Sequence, residues 1–340
     1  MKHLTAFVLL LFATALAGCG KDYFSAVQSS NSVARTETES SAGSTLYVAN
    51  LGIANGDPSV TLYAQGTKSL LRAVTKNISN PRALSFNSVG HLYVANQGHS
   101  RVTIYGSRGK RYLGAITRGI GDPQALAFDR LGDLAVACYH AIQECAPGRK
   151  LIRTIRPGVN SVLALTYDSS GNLYVGGFNA VTVYAPGSTS PMLTITDGID
   201  TPTALTFDGA GNLYVANSYG NSVTVYAPGS TSIMRTISDG IIFPESLAFD
   251  GHGNLYVANE SGIGSEGNSV TVYAPGGTSI LRTISQGMSS PSSLVFDKHG
   301  NLYVANFRGA SVTVYAPGKS SILRTITQGM DYPLRVAFGP

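Results

Sequence analysis

Residues 202–237 read PTALTFDGAGNLYVANSYGNSVTVYAPGSTSIMRTI and contain four short runs that are typical of β-strands. The runs cover Pro202–Asp208, Leu213–Asn217, Val223–Tyr226 and Ile233–Ile237. Each is rich in β-branched or aromatic residues and is bounded by Gly, Pro, Asn or Asp, which end strands and favour turns. The stretch therefore predicts one unit of four antiparallel strands joined by turns and short loops.

The second run of this unit recurs along the chain. The string Leu-Tyr-Val-Ala-Asn occurs five times and two variants fill the gaps, so that the leading Leu residues stand 39 to 47 positions apart. Those residues are Leu46, Leu92, Leu134, Leu173, Leu213, Leu255 and Leu302. A period in the forties made only of strand-like runs is typical of β-propeller blades. Such blades cannot bury both faces alone, so they must pack against one another.

The two ends of the repeat region complement each other. The region begins at Leu46, in a second strand, and it closes with a first strand at 333–338 that has no partner after it. We expect the C-terminal strand to complete the blade begun by the N-terminal strands, which leaves no free sheet edge between the ends. The predicted fold is therefore an all-β, seven-bladed β-propeller of four-stranded antiparallel blades over residues 45–340.

The full repeat, Pro-x-x-Leu-x-Phe-Asp-x-x-Gly-Asn-Leu-Tyr-Val-Ala-Asn followed by Ser-Val-Thr-Val-Tyr, resembles the NHL-repeat family of propellers. It is also similar to the YVTN and gluconolactonase-like propellers. The resemblance covers about residues 45–340 and implies the propeller fold. It implies little about function, because these families include lyases, lactonases and binding scaffolds.

The N-terminus has the three parts of a secretory signal: a basic start, an apolar run, and small residues before a cleavage position. Leu16-Ala17-Gly18-Cys19 resembles the lipobox of bacterial lipoproteins, which implies cleavage after residue 18 and lipidation of Cys19. An ordinary signal peptide or a short transmembrane anchor is the alternative. Residues 19–44 are rich in Ser, Thr, Ala and Asn and are expected to form a flexible tether. We therefore expect a protein anchored in the bacterial cell envelope, with the outer membrane favoured and the propeller outside the cytoplasm.

Composition argues against nucleic-acid binding. Charged residues make up only 13% of the chain and the formal net charge is +5, with no basic cluster or stripe. Nucleic-acid binding needs such a basic surface, so no nucleic-acid partner is expected. We expect a monomer whose partner, a protein, a peptide or a glycan, binds the face that carries the variable loops.

Candidate ligand-binding residues lie where strands meet that loop face. The Asn that ends the second strand could either hold loop backbone or form a ring of amides around the channel mouth. Among the residues that follow the first-strand Pro, Arg82 and Glu245 are the only charged ones, which singles them out as further candidates. The Asn candidates are Asn50, Asn96, Asn217, Asn259 and Asn306.

The third repeat departs from the pattern, with Cys138 in place of the Asn and Cys145 in place of a strand Tyr. A disulfide between them suits an oxidising compartment. Alignment to the other repeats places the two residues on opposite faces of their hairpin, which argues against the bridge. A metal site formed with His140 and His99 is a weaker alternative, because the spacing is far from that of zinc sites.

The sequence offers no convergent acid, base or metal cluster, so no catalytic residue, metal ligand or cofactor is assigned. The leading hypothesis is a membrane-tethered binding scaffold for an envelope protein, peptide or polysaccharide. The alternative is a metal-dependent lactonase- or lyase-like enzyme with its site at the channel mouth.

Overall fold

The computed structural model describes residues 44–54, 56–156, 161–260 and 267–340. The predicted signal peptide, Cys19 and the tether up to residue 43 lie outside the described residues. Among those described, 28 strands form seven four-stranded antiparallel sheets arranged as the blades of a β-propeller. Two short 3-10 helices, Gln97–His99 and Ser107–Gly109, accompany them. No helix in these ranges is both long and apolar enough to cross a membrane.

The strands follow the predicted repeat from blade to blade. Blade 1 contains β1 (Thr45–Asn50), β2 (Ser59–Ala64) and β3 (Leu70–Val74). Blade 2 contains β4 (Pro81–Phe86), β5 (Leu92–Asn96), β6 (Arg101–Tyr105) and β7 (Tyr112–Ile116). Blade 3 contains β8 (Ala125–Phe128), β9 (Leu134–Cys138), β10 (Ala141–Cys145) and β11 (Leu151–Ile155). Blade 4 contains β12 (Ala164–Tyr167), β13 (Leu173–Gly177), β14 (Ala180–Tyr184) and β15 (Leu193–Ile195).

Blades 5 to 7 continue the same order. Blade 5 contains β16 (Pro202–Phe207), β17 (Leu213–Asn217), β18 (Ser222–Tyr226) and β19 (Arg235–Ile237). Blade 6 contains β20 (Pro244–Phe249), β21 (Leu255–Asn259), β22 (Ser269–Tyr273) and β23 (Ile280–Ile284). Blade 7 contains β24 (Pro291–Phe296), β25 (Leu302–Asn306), β26 (Ser311–Tyr315) and β27 (Ile322–Ile326). The last strand is β28 (Pro333–Gly339).

Strand β28 closes the ring, as predicted. It pairs antiparallel with β1, with Leu46 opposite Phe338 and Val48 opposite Val336. The first strand of each blade contacts the first strand of the next, and β28 contacts β4 in turn, so these strands surround the central channel. The blade that starts the chain is therefore completed by the strand that ends it.

The core lies between the blades. The second strand of each blade is buried along its whole length, because both of its faces pack against neighbouring blades. Tyr214 of blade 5 meets Phe249 of blade 6 edge to face, with ring centroids 5.0 Å apart. Tyr303 of blade 7 meets Phe338 of β28 in the same way, also at 5.0 Å. Such edge-to-face pairs add to the apolar burial that holds neighbouring blades together.

The Asp-x-x-Gly turns between first and second strands cap themselves. Oδ1 of Asp208 accepts hydrogen bonds from the backbone N–H groups of Ala210 and Asn212, both at 2.9 Å. Gly211 follows with φ of +83°, a conformation that favours glycine. These turns lie at the end of the ring opposite the variable loops, and we call the two ends the turn face and the loop face.

Candidate functional site

The five candidate asparagines anchor loops inside the protein. Asn217 is 0% exposed, and its Nδ2 donates to the carbonyl of Val215 at 3.2 Å and to Oγ1 of Thr224 at 2.9 Å. Its Oδ1 accepts from the backbone N–H of Asp200 at 3.1 Å. Asp200 lies in the loop that leads into the blade. The side chain therefore ties that loop to the second and third strands.

The same arrangement recurs at the other four positions. Asn50, Asn96, Asn259 and Asn306 are also 0% exposed, and each donates to a third-strand Thr and accepts from an incoming loop. Because both ends of each amide are engaged by the protein, the geometry does not present a ring of amides to a ligand. Of the two alternatives that the sequence left open for these residues, their hydrogen bonds are those of loop anchors.

First-strand side chains tie neighbouring blades together at the loop face. Oγ1 of Thr203 donates to the carbonyl of Pro244 in the next blade at 2.5 Å, and Oγ of Ser292 donates to the carbonyl of Pro333 at 3.1 Å. Both residues directly follow a first-strand Pro. Glu245 and Arg82 occupy this position in blades 6 and 2, so their charges lie where blades 5 and 7 make short neutral contacts.

Glu245 is a buried carboxylate at this end of the channel. Its side chain is 7% exposed, and Oε1 accepts a long hydrogen bond, 3.5 Å, from Oγ of Ser218. Burial raises the pKa of Glu245 well above its usual range and the nearby charge of Glu260 raises it further, while Arg335 and the Ser218 hydroxyl act in the opposite direction. Burial likewise raises the pKa of Glu260, against the opposing charges of Arg308 and Arg335.

Arg82 is also buried. Its Nε donates to Oε1 of Gln97 at 2.7 Å, and the same oxygen accepts from Nδ2 of Asn80 at 2.7 Å. These contacts hold the guanidinium in a fixed orientation beside the first strand of blade 1.

The structure adds Arg335, which the sequence analysis did not single out. Arg335 lies on β28, is 3% exposed, and donates from Nη1 to the carbonyls of Ser292 at 2.7 Å and Leu334 at 3.0 Å. Burial and the neighbouring charge of Arg82 lower its pKa to about 10, while Glu245 and Glu260 oppose that shift. A signal existed in the sequence, because the matching position in every other blade carries Ala or Ser.

Four charged side chains from blades 1, 2 and 6 therefore act on one another at the loop-face end of the channel. We call this group, Arg82, Glu245, Glu260 and Arg335, the mouth cluster. Its members are up to 253 positions apart in the chain and interact only because first strands surround one axis. The cluster combines two guanidinium groups with two carboxylates that burial discourages from ionising, so it can hold a polar or charged ligand group.

Aromatic pairs stand on the same face. Tyr219 is 48% exposed with its ring centroid 6.3 Å from that of Phe243, and Tyr139 is 47% exposed at 4.4 Å from His140. Tyrosines that present a ring and a hydroxyl to solvent are common in binding surfaces for peptides and glycans.

The two cysteines of blade 3 are free and buried, so the predicted disulfide is corrected. The register places Cys138 opposite Ala141 and Cys145 opposite Leu134, at the two ends of the hairpin. Both side chains lie on the same face, not on opposite faces, but four residues of strand separate them by about 13 Å. A disulfide needs Cα atoms roughly 4.4–6.8 Å apart, which this register does not provide.

Blade 3 also holds a buried ion pair. Glu144 stands where other blades have an apolar third-strand residue, and it pairs with Arg153 and accepts from the hydroxyl of Tyr167 at 3.3 Å. Within the described ranges no three His, Cys, Asp or Glu side chains form a group that could share a metal ion. His140 and the two cysteines therefore make no such group.

A groove of about 450 Å³ lies on the turn face, between blades 7 and 1. Gln65, Asp297, His299 and Arg324 line it together with Ser44, where the described chain begins. It contains none of the residues that the sequence singled out as ligand-binding candidates.

No family model and no curated protein matches this chain. Solved structures do. A putative 6-phosphogluconolactonase from Bacteroides uniformis is similar at 14% identity and a TM-score of 0.71, over 87% of this chain and 99% of that one. A functionally unknown protein from Desulfotomaculum acetoxidans is similar at 14% identity and a TM-score of 0.70, with the same coverage. At this identity the likeness establishes that the chain shares the propeller fold of these proteins.

Proposed function

We propose that this protein is a binding module that holds a protein, peptide or glycan of the cell envelope against the loop face of its propeller. The observation that carries this proposal is the mouth cluster, since buried charges are costly in a fold whose other blades carry neutral residues at the same positions. Departures from a repeat that cost stability are expected where a scaffold performs its function.

The surroundings of the cluster support the same function. Tyr139 and Tyr219 offer exposed aromatic surface on the loop face, and the loop anchors keep the incoming loops in fixed positions. A rigid rim needs little ordering when it binds, which favours affinity. The proposed ligand therefore contacts the aromatic rim and places a polar group at the mouth cluster.

The proposed location follows from the N-terminal sequence. A lipidated Cys19 would hold the propeller at a bacterial membrane, and residues 20–44 would separate the two. Two or more acyl chains anchor a protein durably, whereas a single chain does not. Mass spectrometry of the membrane fraction tests this part: a diacylglycerol-modified Cys19 at the N-terminus supports it, and an unmodified chain in the soluble fraction contradicts it.

The ligand proposal is tested with an array of defined envelope polysaccharide fragments and peptides. For any ligand that binds the wild-type protein, Tyr219→Ala and Glu245→Gln are each expected to lower the affinity at least ~10-fold. The first removes a rim contact and the second a charge of the mouth cluster. Leu131→Ala is the matched control, since Leu131 is 82% exposed on the turn face. Leu131→Ala should leave binding unchanged, and binding that survives both loop-face variants contradicts the proposal.

A lactonase is the second candidate, because one similar structure is named a putative 6-phosphogluconolactonase and the repeat resembles NHL and gluconolactonase-like propellers. Lactone hydrolysis would need a group at the mouth cluster to activate water, and Glu245 is the buried carboxylate placed for it. The test is hydrolysis of a sugar lactone by the purified protein with Ca²⁺ or Zn²⁺ added. Turnover that is lost in Glu245→Gln would favour the enzyme over the binding module.

A further inference from the structure

Arg335 breaks the repeat at a position where the fold needs a small residue. The matching residues of the other blades are Ala83, Ala125, Ala164, Ala204, Ser246 and Ser293. Ser246 and Ser293 use their hydroxyls to accept from the next first strand, at 3.2 Å and 3.3 Å. The guanidinium of Arg335 adds a hydrogen bond to blade 7, from Nη1 to the carbonyl of Ser292, but this bond uses only one of its three nitrogens.

The guanidinium of Arg335 makes hydrogen bonds through one nitrogen and none through the other two. Nη1 is held by the carbonyls of Ser292 and Leu334. Nε and Nη2 are buried and have no hydrogen-bond partner among the described residues. The N–H groups of Nε and Nη2 are parallel and adjacent, and their spacing matches the two oxygens of a carboxylate or a phosphate.

The carboxylates of the mouth cluster do not take this edge. Glu144 with Arg153 is the one ion pair within 4.0 Å in the described parts of the chain, so Glu245 and Glu260 act on Arg335 only from further away. Leaving charged donors buried and unpaired lowers the stability of the folded state. Among the described residues Arg335 is the one arginine with two such nitrogens, and the two share one edge of its guanidinium.

We propose that the Nε–Nη2 edge of Arg335 binds an oxyanionic group, a carboxylate or a phosphate, of the ligand that occupies the channel mouth. The inference rests on the proposed function, in which the mouth cluster is the ligand site. Arg82 adds a second positive charge close by.

Calorimetric titration of the purified protein with inorganic phosphate, and separately with acetate, tests this site. Ionic strength is held constant with chloride. We expect saturable binding of at least one anion, weakened at least ~100-fold by Arg335→Ser and at least ~10-fold by Arg335→Lys, which keeps the charge and loses the paired N–H groups. Arg335→Ser folds because Ser occupies the same position in blades 6 and 7, and a thermal melt verifies this.

Arg130→Ser is the control for net charge, because Arg130 is exposed on the turn face. The comparison of the two anions shows whether a phosphate or a carboxylate is preferred. The proposal is overturned if neither anion binds at up to ~50 mM, or if Arg335→Ser binds both as tightly as the wild type. Array binding lost in Tyr219→Ala and Glu245→Gln but intact in Arg335→Ser would discard the anion site and keep the proposed function.

The opposite pair of results separates the two proposals as well. Phosphate or acetate binding that depends on Arg335, together with array binding that ignores Glu245 and Tyr219, would keep the anion site and contradict the proposed loop-face function.

Discussion

Replacing the loop anchor of blade 5, Asn217→Ala, should lower stability without affecting ligand binding. The substitution removes two hydrogen bonds donated by Nδ2 and leaves the backbone N–H of Asp200 without its acceptor. Oγ1 of Thr224 keeps a partner, because the hydroxyl of Tyr226 lies 3.0 Å from it. The lost donors contribute about 1 kcal/mol each and the orphaned N–H costs about 1–3 kcal/mol.

Partial relaxation of the incoming loop toward water reduces that sum, so we expect a loss of about 2–4 kcal/mol in the free energy of unfolding. For a domain of this size, this corresponds to a fall in Tm of roughly 4–8 °C. Chemical denaturation and a thermal melt measure both quantities. Tyr219→Ala, two residues away and nearly half exposed, is the matched control and should change the Tm by less than about 2 °C.

Two results would refute this reasoning. A Tm unchanged within about 1 °C would mean that Asn217 does not anchor the loop. A Tm that falls as expected, together with a ligand affinity that falls at least ~10-fold, would restore the amide to the ligand site, since anchoring alone predicts an unchanged affinity once the protein is folded.

Three further predictions concern the ring, the thiols and the mouth cluster. Deleting residues 333–340 removes the strand that closes blade 1, and loss of Val336 burial alone costs about 1.5–3 kcal/mol; a melt that matches the full chain would contradict the closure. Burial raises the pKa of the Cys138 and Cys145 thiols to about 11, so both should react with a thiol reagent at pH 8 only after denaturation, and rapid reaction of the folded protein would show otherwise. The raised pKa of Glu245 means that the folded state holds its proton above the ordinary value of 4.5, so this residue destabilises the fold increasingly as pH rises from about 4 toward neutral. The free energy of unfolding of Glu245→Gln, measured relative to the wild type by denaturation, should therefore be higher at pH 8 than at pH 4. A difference that is the same at both pH values would contradict a raised pKa of Glu245.

The fold was accessible from the sequence because its determinants are local and periodic. Runs such as Leu213–Asn217 alternate with turns such as Asp208–Asn212, and both signals depend on residues close together in the chain. Repetition strengthens them, since seven weak strand patterns in one register predict a ring where one would predict little. The unpaired strand at 333–338 then identified its partner, because an open sheet edge would otherwise remain.

The site was only partly accessible. Arg82 and Glu245 stood out as charged residues at an otherwise neutral repeat position, and the structure places both at the mouth cluster. Arg335 was not singled out, although comparison of the position two residues after the first-strand Pro would have identified it. The five asparagines stayed open between two roles, because an identical residue in several repeats shows that a contact repeats, not whether its partner is protein or ligand.

By itself, then, the sequence determined the strands, the turns, the number of blades and the strand that closes them, because period and turn chemistry act over a few residues. Only the tertiary structure decided that the asparagine amides turn inward to the loop backbone, that Cys138 and Cys145 lie at opposite ends of one hairpin, and that charges from blades 1, 2 and 6 converge. Those outcomes depend on strand register and on the arrangement of seven first strands around one axis. Register and arrangement bring together residues that are far apart in the chain, and no local pattern records the distance between them.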